Sequence, residues 1–499
     1  MRDDVSRLCG YTLPVLHTDD APRASDIVLR AASATATGGD EGHTLSVRTD
    51  GATITAATVA GALHAAQTLR QLLPPAGDTR LRIASVPGGL TVPCVEIADA
   101  PRFPWRGMML DCARHFMPVG FVRRFIDLMA MHKLNVFHWH LMDHNGWRME
   151  VESFPRLLEV AAFRGVGACR DGGYYTKNDI RGIVAHAAER GITVVPEFEM
   201  PGHCDAALAA YPGLACTGCA AALPTEPAAD DVEFFTRAGS RPFCAGNDDV
   251  FAFHLAVFDE ALELFPSRVW HVGGDERPKG HWDKCPRCRA RMAAHGLADE
   301  HALQEWFMRR ISDELVARGK RPMSWAVTQT HPYNPAQLET LGNDAIIQNW
   351  HDCTRFATGG GWDVVDSHNC HYYFNYPQSR HPDKPDWMPR LPLRKVYAHD
   401  PVPAGLDPGQ ARRVLGPEGC LWSNLIPPDE VLPHVFPRLL ALAESAWTPA
   451  VRKDFACFER RVEAARPRLE ACGVAFWQPP VGVEDDGGDD AHILPMPAE

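Results

Sequence analysis

From about residue 101 the chain repeats one unit: a short apolar run followed by a stretch of helical period. The runs are Arg106–Asp111, Asn135–Asp143, Ile192–Met200, Val269–Asp275, Arg321–Trp325, Ala345–Trp350, Trp362–Ser367 and Val414–Trp422. Strands that read as near-continuous apolar runs are covered on both faces, and helical crossovers between them force a parallel sheet. Between the first two runs, Phe121, Phe125, Leu128 and His132 share one helical face behind Pro118. Asn247 is placed to cap a helix carrying Phe251, Leu255, Phe258 and Leu262. Eight such alternations predict an α/β fold, a (β/α)8 TIM barrel with enlarged loops over residues 101–450. A doubly wound open sheet is the rival. It would carry a glycine-rich phosphate fingerprint after an early strand, and none follows.

The flanking segments have a different texture. Residues 1–100 read as a smaller α+β supporting domain. Alternating residues around Asp50-Gly51 signal a two-residue hairpin, and Val59, Leu63, Ala66, Leu69 and Leu73 recur at helical spacing until Pro74-Pro75. Residues 451–480 read as a charged closing helix interrupted by Pro467, and 481–499 as an acidic flexible tail. The balance of 50 Lys+Arg against 63 Asp+Glu gives a net charge of −13. That argues against nucleic acid as a partner, because phosphate binding wants a basic surface. No apolar run is long enough to span a membrane, and the opening residues lack an apolar signal core, so a cytoplasmic location is expected. Fifteen cysteines, an odd number, read as mostly reduced thiols. The sequence carries no signature of an oligomeric state.

Barrel chemistry sits at the carboxyl ends of the strands, and polar residues collect there. The first run leads to Asp111 and Arg114, the second to His138, His140 and Asp143, the third to Glu197, Glu199 and His203, and the fourth to His271 and Asp275-Glu276. Adjacent acids after a buried strand repel each other, and that repulsion can keep one carboxyl protonated as a general acid requires. Trp325, Trp350 and Trp422 end three further runs. The apolar faces of a pyranose stack on such rings, so carboxylates beside an aromatic box point to glycoside hydrolysis.

At these residues the sequence resembles the family 20 glycoside hydrolases, the β-N-acetylhexosaminidases. The resemblance rests on GALHAAQTLRQLL, RGMMLDCARHF, KLNVFHWHLMDHNGWR, PEFEMPGH, HVGGDE and LPHVFPRLLALAESAW, and covers about residues 45–475. It implies that Glu276 is the general acid and then base, and that Asp275 orients the substrate's 2-acetamido group, whose oxygen serves as the nucleophile. It further implies that Tyr373 hydrogen-bonds that acetamido group and that Arg114 grips the outer hydroxyls. Trp325, Trp350 and Trp422 would wall the pocket, and Asp143, His203 and His140 would stand behind Glu276 and tune it. No cofactor is implied for catalysis, and the expected partner is a carbohydrate ending in N-acetylhexosamine. The sequence departs from the family pattern at three positions. Glu199 replaces an aspartate, Asn375 stands where many members have aspartate, and Asn424 stands where glutamate is usual. The last two make the outer edge of the sugar site less negative, which points to a relative accepting 6-substituted, for example sulfated, sugars.

Other readings share these residues. His138 and His140 lie two apart on a strand, and with His203, His271 and Asp275 they suit a metal-dependent barrel hydrolase. A non-catalytic sugar-binding protein would need no acid pair. Finally, Cys216-Thr-Gly-Cys219 and Cys285-Pro-Arg-Cys288 are two C-x2-C hooks after adjacent strands, so four thiolates can meet as a structural zinc site. Free thiols and disulfides are the competing readings.

Overall fold

The computed structural model describes residues 22–24, 26–73, 92–165, 171–216, 240–326, 341–342, 344–379 and 389–478. The tail expected at 481–499 lies outside them.

The N-terminal sheet contains β1 (Asp26–Ala31), β2 (His43–Arg48), β3 (Gly51–Ala56) and β4 (Val95–Asp99), in the order β1-β3-β2-β4. Its hairpin pairs Arg48 with Gly51, so the two loop residues are Thr49 and Asp50, one position earlier than the Asp-Gly signal suggests. Gly51 opens β3 beside β1, where a Cβ would come 2.7 Å from the Asp26 carbonyl oxygen. The helix Val59–Leu72 is capped by Thr58 and packs Ala65 and Leu69 onto Leu45, Val47 and Ile54. Its buried face is rotated from the expected one. Val59 is 77% exposed, whereas His64 is buried because Glu41 holds it 3.1 Å away. The same Glu41 carboxylate takes both guanidinium nitrogens of Arg106 at 2.6 and 3.0 Å, joining this unit to the barrel. Burial opposes ionisation of Glu41, but His64 and Arg106 prevail and bring its pKa down to about 2.

The barrel strands are β5 (Gly107–Asp111), β6 (Val136–His140), β7 (Thr193–Met200), β8 (Val269–Gly273), β9 (Arg321–Trp325), β10 (Ile346–Asn349), β11 (Asp363–Asp366) and β12 (Val414–Leu421). They pair in parallel, in chain order, and β12 closes on β5. Directly paired residues descend from the rim as the ladder goes round: Asp111, His140, Glu197, His271, Met323, Ile346, Asp363. This is the stagger that closing a sheet demands. The floor of the interior is apolar: Trp105, Val136, Val195, Met323, Ile346 and Val365 form one cluster. Outside the strands, helices such as Val119–Met131, behind Pro118, and Asp248–Leu262, capped by Asn247, bury their apolar faces in the main core.

The closing helix runs Phe455–Ala471, beginning at its Asp454 cap. It continues through Pro467 instead of breaking there. The ring faces solvent, while Val462 and Leu469 are anchored in the core and Arg468 donates to the Arg70 carbonyl at 3.0 Å. Among the described residues no helix is long and apolar enough to cross a membrane.

Candidate active site

Two residues above the floor the barrel interior becomes charged. His138, Glu197, His271 and Glu418 are wholly buried. His138 Nδ1 lies 2.7 Å from Glu418 Oε1, and its Nε2 lies 3.1 Å from Glu197 Oε2. Trp325 Nε1 donates to Glu197 Oε1 at 2.7 Å, and Trp105 Nε1 and Gln348 Nε2 each donate to Glu418 at 2.8 Å. Burial disfavours charge here, yet the paired signs prevail. Glu197 is held well below the usual carboxylate range by His140, His271 and His138. Burial is likewise outweighed at His138, raised to about 9 by Glu418 and Glu197, and at His140, raised to about 10 chiefly by Glu197. The sequence reading missed Glu418, Trp105 and Gln348.

The next step up is the rim. His140 bridges Glu197, through Nδ1, to Asp143 Oδ2, 2.9 Å from its Nε2. Arg114 donates to Asp111 at 3.1 Å and to Asp143 at 2.9 Å, and its guanidinium lies 5.0 Å from the Trp422 ring centre. Asp143 also lies 3.2 Å from His203 Nδ1, and His203 Nε2 lies 3.5 Å from both Asp275 Oδ2 and Glu276 Oε2. His144, paired to Asp205, packs its ring 4.6 Å from His203, another contact the sequence did not reveal. The acid pair lies past the end of β8, not within the strand. It sits on a left-handed turn, with positive φ at Gly273 (62°), Gly274 (108°) and Glu276 (40°), and His203 opposite is also left-handed (46°). A non-glycine residue held there costs ~1–3 kcal/mol, strain that collects at functional sites.

The electrostatics distribute protons unevenly over this cluster. Burial pushes Asp275 up to about 6 despite the opposing charge of His203, and the neighbouring Glu276 adds to the rise. Burial also raises Glu276, but His203 and Arg114 outweigh it and lower this carboxyl below its ordinary value. The acid whose proton affinity is raised is therefore Asp275, mainly by burial, whereas the sequence reading needed it to be Glu276. His203 is raised well above its usual range because Asp143 and Asp275 overcome its burial.

Glu199 accounts for its extra methylene by folding back on the turn, where its Oε1 accepts from Met200 N at 3.1 Å and Gly274 N at 2.9 Å. Burial, with Asp275 and Glu197 nearby, raises its pKa well above normal. A Cβ at Gly273 would land 1.7 Å from that oxygen.

Aromatic rings line one side. Trp422 lies 5.5 Å from Trp325, 5.9 Å from Tyr373 and 5.1 Å from His140. Trp350 donates to the Ala326 carbonyl, the residue after Trp325, at 3.4 Å. Tyr373 bridges to the backbone of Cys420 in β12, and burial drives its phenol well above the usual range, so it stays a proton donor. Three buried acceptors, Asp275 Oδ1, Asn375 Oδ1 and Asn424 Oδ1, have no hydrogen-bond partner among the described residues. These acceptors are open to donors from a bound sugar or from water. Of the histidines of the metal reading, His138 lies between Glu418 and Glu197 and His140 between Glu197 and Asp143, while His138 with Glu197 and His271, and His203 with Asp275 and Glu276, stand close enough together to hold an ion. The cysteine hooks do converge, in part. Cys216, Cys285 and Cys288 meet Cys244, while Cys219 lies outside the described residues.

Known proteins share this architecture. The chain is 38% identical to a beta-hexosaminidase of Porphyromonas gingivalis over 448 residues, which is 88% of this chain and 55% of that relative. It is 31% identical to a beta-N-acetylhexosaminidase of Cellulomonas fimi, covering 96% of this chain and 88% of that one. The exo beta-N-acetylglucosaminidase of Vibrio harveyi, solved with N-acetylglucosamine, superimposes with a TM-score of 0.81 at 32% identity, over 96% of this chain and 72% of that one. The Streptomyces plicatus N-acetyl-beta-hexosaminidase gives 0.78 at 34% identity, over 96% and 89%. The pattern of the glycosyl hydrolase family 20 catalytic domain fits residues 103–450, and that of the family's domain 2 fits residues 2–100. With its barrel, acid pair and aromatic wall in place, this chain belongs to glycosyl hydrolase family 20.

Proposed function

We propose that the chain is a retaining exo-β-N-acetylhexosaminidase that removes terminal N-acetylglucosamine or N-acetylgalactosamine by substrate-assisted hydrolysis. The observation that carries this reading is the convergence of Asp275 and Glu276 on one nitrogen of His203, 3.5 Å from each. A retaining enzyme with its own nucleophile places two carboxyl groups on opposite faces of the sugar. Two acids meeting at one imidazole support a reading in which both act from one side of the sugar, with the substrate's own acetamido oxygen as the attacking group.

Glu276 then protonates the glycosidic oxygen and later accepts a proton from water. In the free chain the His203 charge keeps this carboxyl low and its side chain is 34% exposed. A sugar that covers it removes water and raises its affinity for a proton. Asp275 and the Tyr373 hydroxyl hold the acetamido group with its oxygen aimed at the anomeric carbon. Arg114, fixed by Asp111 and Asp143, takes the outer hydroxyls, and Trp325, Trp350 and Trp422 enclose the ring. Asp143, His140 and Glu199 fix His203 and the turn. No cofactor takes part in this scheme.

Glu276→Gln keeps the shape and removes the acid. With an aryl N-acetylglucosaminide, kcat should fall about 10²- to 10⁴-fold at little-changed KM. A cyclic thiazoline mimic of the oxazolinium intermediate should inhibit the wild type strongly. Near-normal turnover by the variant on a substrate with a poor leaving group overturns the assignment.

A further inference from the structure

We propose that Cys216, Cys244, Cys285 and Cys288 bind a structural zinc ion that ties the loop after β7 to the loop after β8. The four sulfurs lie within 4.8 Å of one another. Cys216 to Cys288 is 3.8 Å, Cys244 to Cys285 is 3.8 Å and Cys244 to Cys288 is 3.6 Å. Sulfurs placed tetrahedrally at about 2.3 Å from a zinc ion stand about 3.8 Å apart. A disulfide needs about 2.0 Å and draws sulfurs together two by two. Here Cys244 lies 3.8 and 3.6 Å from two partners, and so does Cys288, which is convergence on a common centre rather than pairing.

The backbone around the cluster is built to hold that centre. Cys285 precedes Pro286 at the start of the helix Pro286–His295, whose positive end favours thiolates. Cys244 N donates to the Leu214 carbonyl at 2.9 Å, beside the antiparallel bridge of Phe243 to Ala215 that holds the segment carrying Cys244 against the one leading to Cys216, and Arg287 donates to the Ala215 carbonyl at 2.9 Å. At Gly246 a Cβ would meet the Arg287 and Cys288 backbone at 2.2–2.4 Å, so the loop carrying Cys244 lies flush against Cys288. Cys244 and Cys288 are fully buried, Cys285 is nearly so and Cys216 is half-buried, so the site is shielded from competing ligands. A four-sulfur tetrahedral set selects zinc or iron among common metals. The metal is a tether: Phe243 N donates to the Pro201 carbonyl, two residues before His203, at 2.9 Å. Trp282, which donates to the Phe243 carbonyl at 2.9 Å, lies under the guanidinium of Arg277, the neighbour of Glu276.

The test uses the full chain purified without chelators from zinc-supplemented medium. Elemental analysis should find about one zinc per chain, released by a mercurial in step with four thiols. Cobalt substitution should give the absorption of a tetrahedral tetrathiolate. Cys244→Ser and Cys288→Ser should lower zinc content at least about tenfold, while Cys219→Ser keeps it. Should the first two fail to fold, the wild type still decides, because its four thiols resist alkylation until the metal is removed. Less than about a tenth of an equivalent of zinc with these thiols freely alkylated in folded protein overturns the proposal. So do iron in place of zinc, disulfides between these cysteines, and loss of zinc in Cys219→Ser with retention in Cys244→Ser.

Discussion

The floor of the barrel and the layer just above it are built on the same eight strands yet obey different physics. On β6 the inward side chains step from Val136 to His138 to His140, and on β7 from Val195 to Glu197 to Glu199. The floor closes by apolar contact, which is non-directional and tolerant of volume-conserving change. The layer above holds ionised groups out of water, where each survives only because its partners are in place. The comparison teaches where the precision lies. The floor makes a barrel, and the charged layer sets the angle of every group that reaches the rim.

The largest expected effect tests that division. Glu197→Gln deprives three histidines of a shared counter-ion and should lower unfolding free energy by about 3–5 kcal/mol in urea titrations. Met323→Ala on the floor should cost a similar ~2–5 kcal/mol yet leave the pH dependence of stability unaltered. A Glu197→Gln protein as stable as the wild type would erase the distinction.

The next effect is one of pH. His138 and His140 have folded pKa values raised to about 9 and about 10 from 6.5. Their contribution is fully present below pH 6.5 and is lost as pH rises through the folded values. Wild-type Tm should therefore fall between pH 7 and 10, and more steeply than in Glu197→Gln. Parallel curves for the two proteins would contradict the assigned charges.

A smaller effect of the same sign in pH, but with the opposite response to mutation, is expected at the rim. Asp275 has a raised pKa, about 6 against 3.8, so its carboxyl destabilises the fold progressively as pH climbs through that window. Asp275→Asn should gain a few degrees of Tm above pH 6 while losing turnover, the mark of a group kept for chemistry at the expense of stability. An equal loss of Tm at all pH values would place Asp275 among structural groups. The smallest effect concerns the two amides. Asn375→Asp with Asn424→Glu should cut turnover of an anionic 6-substituted sugar by about tenfold relative to the plain sugar, one contact's worth of like-charge repulsion at ~1.4 kcal/mol. An unchanged ratio would remove these residues from the specificity argument.

Much of this was legible in the sequence because strands buried on both faces have to be apolar, so their ends and the polar residues beyond them stand out. Asp275-Glu276, His203 and Trp422 were readable on that basis. Glu418 was not, since it lies in the middle of the run Val414–Trp422, away from the strand ends where polar residues stand out, and only the closed ladder turns it into the barrel. Cys244 escaped because it has no C-x2-C spacing, and only a chain crossing brings it to Cys288. The buried face of the first helix was misjudged because His64 counts as polar in a pattern, whereas a single carboxylate can carry it into the interior. The sharing of charge between Asp275 and Glu276 depends on the burial that raises the first and on the His203 and Arg114 charges that lower the second. No spacing along the chain encodes that.

The fit of Glu199 against Gly273 makes the two positions interdependent. A side chain at 273 would claim the space of the Glu199 carboxylate, which would have to swing away and release Gly274 N. The positive φ of Gly273 would strain such a residue as well. The shape of the turn beneath the acid pair is thus held by a glycine and a glutamate acting together.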